Sequence, residues 1–152
     1  VNLSPHFTLD ELTVSEYAVR NGIRNDPLPR ALANLERLCV EILEPLRAFT
    51  GKPVVVLSGF RSQAVNKAVG GSQNSEHCDG RAADIIIPGL QTLDVCLLVV
   101  NISPVLRFNQ CINEFGRWCH VSIPFGLEEP RRELLTAKKD ASGKTFYLRG
   151  LV

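Results

Sequence analysis

No apolar run in this chain approaches the roughly 18–20 residues that a membrane-spanning helix needs. The longest, Val95 to Val100, is six residues, so a membrane span is not expected. Charge of one sign is equally scarce. The formal net charge is +1 over 152 residues, which argues against a polyanion such as nucleic acid as partner. The short basic runs Arg131-Arg132 and Lys138-Lys139 read as solvated surface. Val1 to Asp10 has no basic segment followed by an apolar run, so no secretory signal is read there. The expectation is a protein made and released in the cytoplasm. The five cysteines (Cys39, Cys78, Cys96, Cys111, Cys119) form no C-x-x-C pair and no framework spacing. They are expected to be reduced, mostly buried thiols. With no internal repeat, low-complexity stretch or shift in composition, residues 1–152 read as one domain.

What is present is a sequence of helix signals followed by strand signals. Thr8-Leu9-Asp10-Glu11 has capping-box form and predicts a helix to about Arg20, stopped by Asn21-Gly22. Leu28, Leu32, Leu35, Leu38, Ile42, Leu43, Leu46 and Phe49 make a stripe at steps of three and four, a scaffold helix that Pro45 should kink. Val54 to Leu57 reads as a buried strand, Gln63 to Val69 as a short helix, Arg81 to Ile87 as a second core strand and Gln91 to Asn101 as a buried helix. Phe108 to Asn113 and Trp118 to Ile123 predict a hairpin around Gly116. Arg132 to Lys138 and Lys144 to Leu148 predict another. Helices first and antiparallel strands later give an α+β fold.

Histidine is rare enough to weigh residue by residue. His77 stands in the loop before the second core strand. Asp84 interrupts the apolar run Ala82-Ala83-Asp84-Ile85-Ile86-Ile87, where a buried carboxylate costs several kcal/mol unless a cation or several donors compensate it. His120 sits in the middle of a strand in Trp118-Cys119-His120-Val121. Two His and one carboxylate are a common catalytic zinc set that leaves a position for water. The bland reading is also open at this point: a core histidine held by hydrogen bonds, and Asp84 paired with Arg61 or Arg81. Cys78 and Cys119 are weaker ligand candidates, because Cys119 and His120 point to opposite faces of one strand. His6 reads as structural.

The pattern Ser75-x-His77-x-x-Gly80-x-Ala82-x-Asp84, followed by Trp118-x-His120, resembles the zinc D-Ala-D-Ala carboxypeptidase and L-alanyl-D-glutamate peptidase family, which includes phage endolysins. Ser58-Gly59-Phe60-Arg61-Ser62 is similar to a further segment of that family. Leu3 to Thr8 and Asn34 to Arg47 resemble the opening of its phage-type branch. The resemblance implies a small antiparallel sheet carrying the metal site, flanked by helices, as in hedgehog and D-Ala-D-Ala peptidases. It also implies Zn2+ held by His77, Asp84 and His120, and a monomer acting on a peptidoglycan stem peptide, with L-Ala–D-Glu cleavage favoured over D-Ala–D-Ala. Arg61 matches the family arginine that meets a substrate carboxylate or carbonyl. Ser75 would bind substrate or orient His77, and Gln110 would line the cleft. Glu114 is the candidate general base, although better-known members carry that Glu three residues before the last His, where this chain has Arg117. That departure leaves a second reading, a zinc-stabilised peptide-binding module without hydrolysis. A cysteine-based enzyme using Cys78 or Cys119 is a third.

Overall fold

Thr8 caps a helix in the computed structural model, which covers residues Val1–Val152. It follows a small ribbon, β1 (Asn2–Ser4) and β2 (Phe7–Thr8). The Thr8 hydroxyl accepts from the Glu11 N–H while the Glu11 carboxylate accepts from the Thr8 N–H, the reciprocal box expected from the sequence. That helix, α1 (Leu9–Thr13), does not continue to Arg20. Val14 is extended and Ser15 opens a second cap, accepting from the Ala18 N–H, so α2 (Glu16–Asn21) is a separate helix closed by left-handed Gly22. A serine inside an apolar pattern competes for the backbone, and here it wins.

The scaffold helix begins with Pro29 in its first turn as α3 (Pro29–Leu38) and resumes as α4 (Glu44–Thr50). Between them Cys39–Leu43 widens into a π-turn in which the Glu44 N–H donates to the Cys39 carbonyl. Pro45 cannot donate, and its ring would press on the carbonyl four residues back. The wider turn absorbs that conflict without breaking the helix.

Six strands make the main sheet: β3 (Val55–Ser58), β4 (Ala82–Ile86), β5 (Gln110–Glu114), β6 (Trp118–Ser122), β7 (Glu133–Lys139) and β8 (Thr145–Arg149), in the order β3-β4-β6-β5-β7-β8. α5 (Gln63–Ala68) and α6 (Thr92–Asn101) lie between β3 and β4 and between β4 and β5 in the chain. Two expectations are corrected. β3 is an edge strand, with Val55 and Leu57 38% and 47% exposed, because an apolar run does not reveal whether one neighbour or two will flank it. The tail hairpin forms, but β7 joins β5 in parallel, so the sheet is mixed.

Alternation along the strands separates two faces. Ala83, Ile85, Cys111, Cys119 and Val121 belong to one buried apolar cluster shared with Leu35, Leu38 and Ile42 of the scaffold helix and Val95 and Val99 of α6. Asp84, His120, Gln110, Ile112 and Glu114 take the other face, along a cleft.

Gly80 closes the short 3₁₀ turn Glu76–Asp79 in the left-handed region, φ +73, and a Cβ there would overlap the Ala31 carbonyl oxygen of α3. Gly80→Ala is expected to destabilise the fold by about 2–4 kcal/mol. Gly116→Ala, whose Cβ meets open space, should cost about 1 kcal/mol for its backbone alone. Urea unfolding of both variants measures the difference.

Candidate metal centre

Strand register builds two thirds of the centre. Asp84 on β4 lies directly opposite His120 on β6, so both side chains rise from one face and Asp84 Oδ1 stands 3.1 Å from His120 Nδ1. His77 arrives from the 3₁₀ turn, where Ser75 accepts from the His77 N–H and Gly80 reverses the chain into β4. Its Nε2 is 3.2 Å from the same Asp84 Oδ1. All three residues are buried, and their donor atoms lie within 4.8 Å of one another.

The protonation of His77 follows from its second nitrogen. Nδ1 is 2.7 Å from the Gly59 carbonyl oxygen, which can only accept, so Nδ1 carries the proton. Burial holds the His77 pKa below its usual value despite the charge of Asp84, so the ring is neutral and turns an Nε2 lone pair on Asp84 Oδ1. Two acceptors at 3.2 Å repel unless a cation lies between them. The donor set therefore fits a divalent metal.

Burial by itself would push Asp84 up, but in the acid range where a carboxyl titrates the protonated imidazoles of His77 and His120 outweigh it and hold this carboxyl well below the usual range. Arg61 also holds this carboxylate, its Nη2 donating to Asp84 Oδ2 at 3.1 Å. His120 goes the other way. Burial works against its charge, yet the hydrogen bond to Asp84 and the carboxylate of Glu76 raise it to about 10. Glu114 is pushed up by burial and by the Asp84 charge.

Among the other residues singled out from the sequence, Glu114 reaches the centre, with Oε1 3.8 Å from His120 Nδ1. The pairs Ile112–His120 and Glu114–Trp118 make Glu114 and His120 diagonal neighbours across β5 and β6, which brings together two residues six apart in the chain. Arg61 reaches Asp84 while also donating to Ser58 Oγ and Asn66 Oδ1. Arg81, the other arginine considered for Asp84, instead pairs with Glu76 and Asp79. Gln110 lines the cleft and donates to Glu133 at 2.7 Å. The cleft has a volume of about 710 Å³, within the range of small-ligand sites.

Glu76 has no counterpart in the sequence reading. Its Oε2 accepts from Asn109 Nδ2 at 3.0 Å and from Arg81 Nη1 at 3.2 Å, while Oε1 faces His120 Nε2 at 3.6 Å. Burial opposes its charge, but the facing His120 and the donor Asn109 lower it to about 2. It stands behind His120 as an orienting carboxylate. The adjacent Ser-Glu-His signal was legible, but an acid in a polar loop looks like surface.

The cysteines lie elsewhere. Cys96, Cys111 and Cys119 cluster on the apolar face with their Sγ atoms within 4.8 Å. Cys78 lines a separate hollow beside Phe60 and Phe125. All five thiols are free. His6 pairs with Glu44 on the surface, Nδ1 to Oε2 at 2.8 Å.

The family model described as Peptidase M15 matches residues 5–122, the segment that carries His77, Asp84, Glu114 and His120. Among curated proteins nothing matches.

In zinc-free protein near neutral pH, Asp84 is ionised, His77 is neutral and His120 retains a proton on the metal-facing side. Zinc binding is expected to release about one proton, and apparent affinity to fall about tenfold per pH unit from about pH 9 to about pH 7. Calorimetry in buffers of different ionisation enthalpy counts the proton. Glu76→Ala should weaken zinc about 10–100-fold, measured by competition with a chromophoric chelator.

Proposed function

The chain belongs to the Peptidase M15 family, and from that premise we propose that it is a zinc metallopeptidase that hydrolyses a stem-peptide bond of bacterial peptidoglycan. L-Ala–D-Glu cleavage is favoured over D-Ala–D-Ala, because the opening segments resemble the phage-type branch. Peptidases of this family are typically zinc-dependent, and no helix is long and apolar enough to cross a membrane. The observation that carries the reading is the pair of facing acceptors, His77 Nε2 and Asp84 Oδ1, with His120 Nδ1 beside them.

His77, Asp84 and His120 would hold the metal. Bound there, zinc supplies a Lewis acid that lowers the pKa of a water toward ~7 and polarises the scissile carbonyl. The remaining work falls to side chains of the chain itself. Glu114 takes a proton from the attacking water and delivers it to the leaving amine. Its raised pKa suits a group that must accept a proton and then give it up. Arg61 keeps Asp84 oriented, and presents the edge of its guanidinium to a substrate carbonyl or carboxylate in the cleft. Ser75 holds the turn that aims His77. Gln110 borders the bound peptide. Residues 1–152 act as one monomeric module, made in the cytoplasm and working at the wall after release.

Purified protein is expected to hold one zinc per chain by elemental analysis, and to release new amino groups from purified peptidoglycan in a chelator-sensitive way. Glu114→Gln should lower turnover about 10²–10⁴-fold with zinc retained. Zinc without cleavage in either form, together with unchanged peptide binding, would assign the chain to the non-hydrolytic module instead. A protein that takes up no zinc would end the reading altogether.

A further inference from the structure

The far wall of the cleft comes from outside the family-matched segment. Arg131, Leu135, Lys139, Thr145 and Tyr147 all line it, and all follow residue 122, where the match ends. Register puts them there. Glu114 pairs with Ala137 on β7, and Ala137 pairs with Tyr147 on β8, so the three side chains share one face. Ala137 is the smallest member of that row and fully buried. Nothing bulky therefore separates the Tyr147 ring from the Glu114 end of the cleft.

Lys139 lies two residues further along β7 on the same face, opposite Thr145. Its ammonium sits 5.6 Å from the ring centroid of Phe115, the residue that follows Glu114. Phe115 in turn packs edge-to-face on Trp118 at 5.9 Å. The other cations of the cleft are engaged, Arg61 with Asp84 and Arg131 with Glu133, whereas Lys139 makes no ion pair. The acids of the lining, Glu76, Asp84 and Glu114, gather at the metal end. The cleft is thus polarised, negative at the reacting end and positive at the hairpin. Strand spacing puts the Lys139 backbone roughly 8 Å from that of Glu114, a span that an extended peptide covers in about two to three residues.

We propose that Lys139 and Tyr147 form a subsite for a carboxylate of an acidic peptide, about two to three residues from the cleaved bond, with Lys139 pairing the carboxylate and Tyr147 packing on the peptide backbone. This rests on the peptidase reading and adds the substrate chemistry to it. The Lys138-Lys139 doublet is thereby divided: strand alternation turns Lys138 to the opposite face. The carboxylate has two possible sources in such a peptide, an internal acidic residue or the chain's own C-terminus.

The test is binding to the zinc-loaded full chain carrying Glu114→Gln, with and without Lys139→Ala, followed by Trp118 fluorescence. The probes are the peptide L-Ala-γ-D-Glu-L-Lys-D-Ala, its C-terminal amide, and its glutamyl α-amide. Lys139→Ala is expected to weaken the free-acid peptide about five- to tenfold. The difference should vanish for whichever amide removes the recognised carboxylate, which identifies the source. Tyr147→Phe should keep the affinity and Tyr147→Ala lose several-fold. Equal affinities with and without Lys139 for the free acid, an equal loss for all three peptides, or no saturation by any of them at millimolar concentration would overturn the subsite. Failure of the hydrolase reading shows elsewhere, in chelator-sensitive release of amino groups by the unsubstituted chain, so the two can fail separately.

Discussion

A carboxylate held inside a buried strand is the constraint around which the site is arranged. Asp84 is 5% exposed, and an isolated charge there would cost several kcal/mol. Its two oxygens divide the compensation: Oδ2 takes the Arg61 guanidinium, and Oδ1 faces both imidazoles. Because Arg61 occupies one oxygen, the other is left as the single point on which His77 and His120 converge. Arg61 is itself fixed from three sides, by Ser58, Asn66 and Asp84. Its backbone N–H donates to the His77 carbonyl at 3.1 Å. The residue that stabilises the buried charge therefore also ties down the turn bearing the first histidine.

A second layer supports the imidazoles from behind. Gly59 fixes the tautomer of His77, and Glu76 faces the far nitrogen of His120. Glu76 is in turn gripped by Arg81, whose guanidinium lies 3.6 Å from the Phe125 ring centroid and donates to the Ile123 carbonyl. Both imidazoles are thus oriented by groups that make no use of the metal-facing atoms. Pre-orientation of this kind reduces the rearrangement that metal binding requires.

Residues that violate the pattern around them were the ones legible in the sequence. Asp84 in an apolar strand and His120 between apolar neighbours stand out because burial there demands a chemical reason. Glu76 and Lys139 did not stand out, since each looks like an ordinary surface charge until the fold supplies its neighbours. Helices with clear caps and stripes were readable, but their interruptions at Ser15 and Pro45 depended on which of two local hydrogen-bond schemes prevailed. The two hairpins were readable from turn chemistry. The parallel β5–β7 pairing that joins them was not, because it links residues over twenty positions apart and no local signal specifies it.

That non-local pairing has a functional consequence. The proposed ligands and base ride on β4, β6 and β5, inner strands flanked on both sides, and on a turn tied to α3 through Asn34 and to the segment after β3 through Arg61. Their geometry is fixed by the core and tolerates little change. The hairpin β7–β8 hangs from the outer edge of β5, and Phe146, Tyr147 and Leu148 on its last strand are 41%, 56% and 41% exposed. Phe146 and Leu148 turn away from the cleft, but a substitution at Tyr147 reaches it without passing through the buried network around Asp84. A sheet that keeps the candidate ligands at its centre and the far cleft wall at its margin would let the proposed peptide selectivity change while those ligands stay as they are.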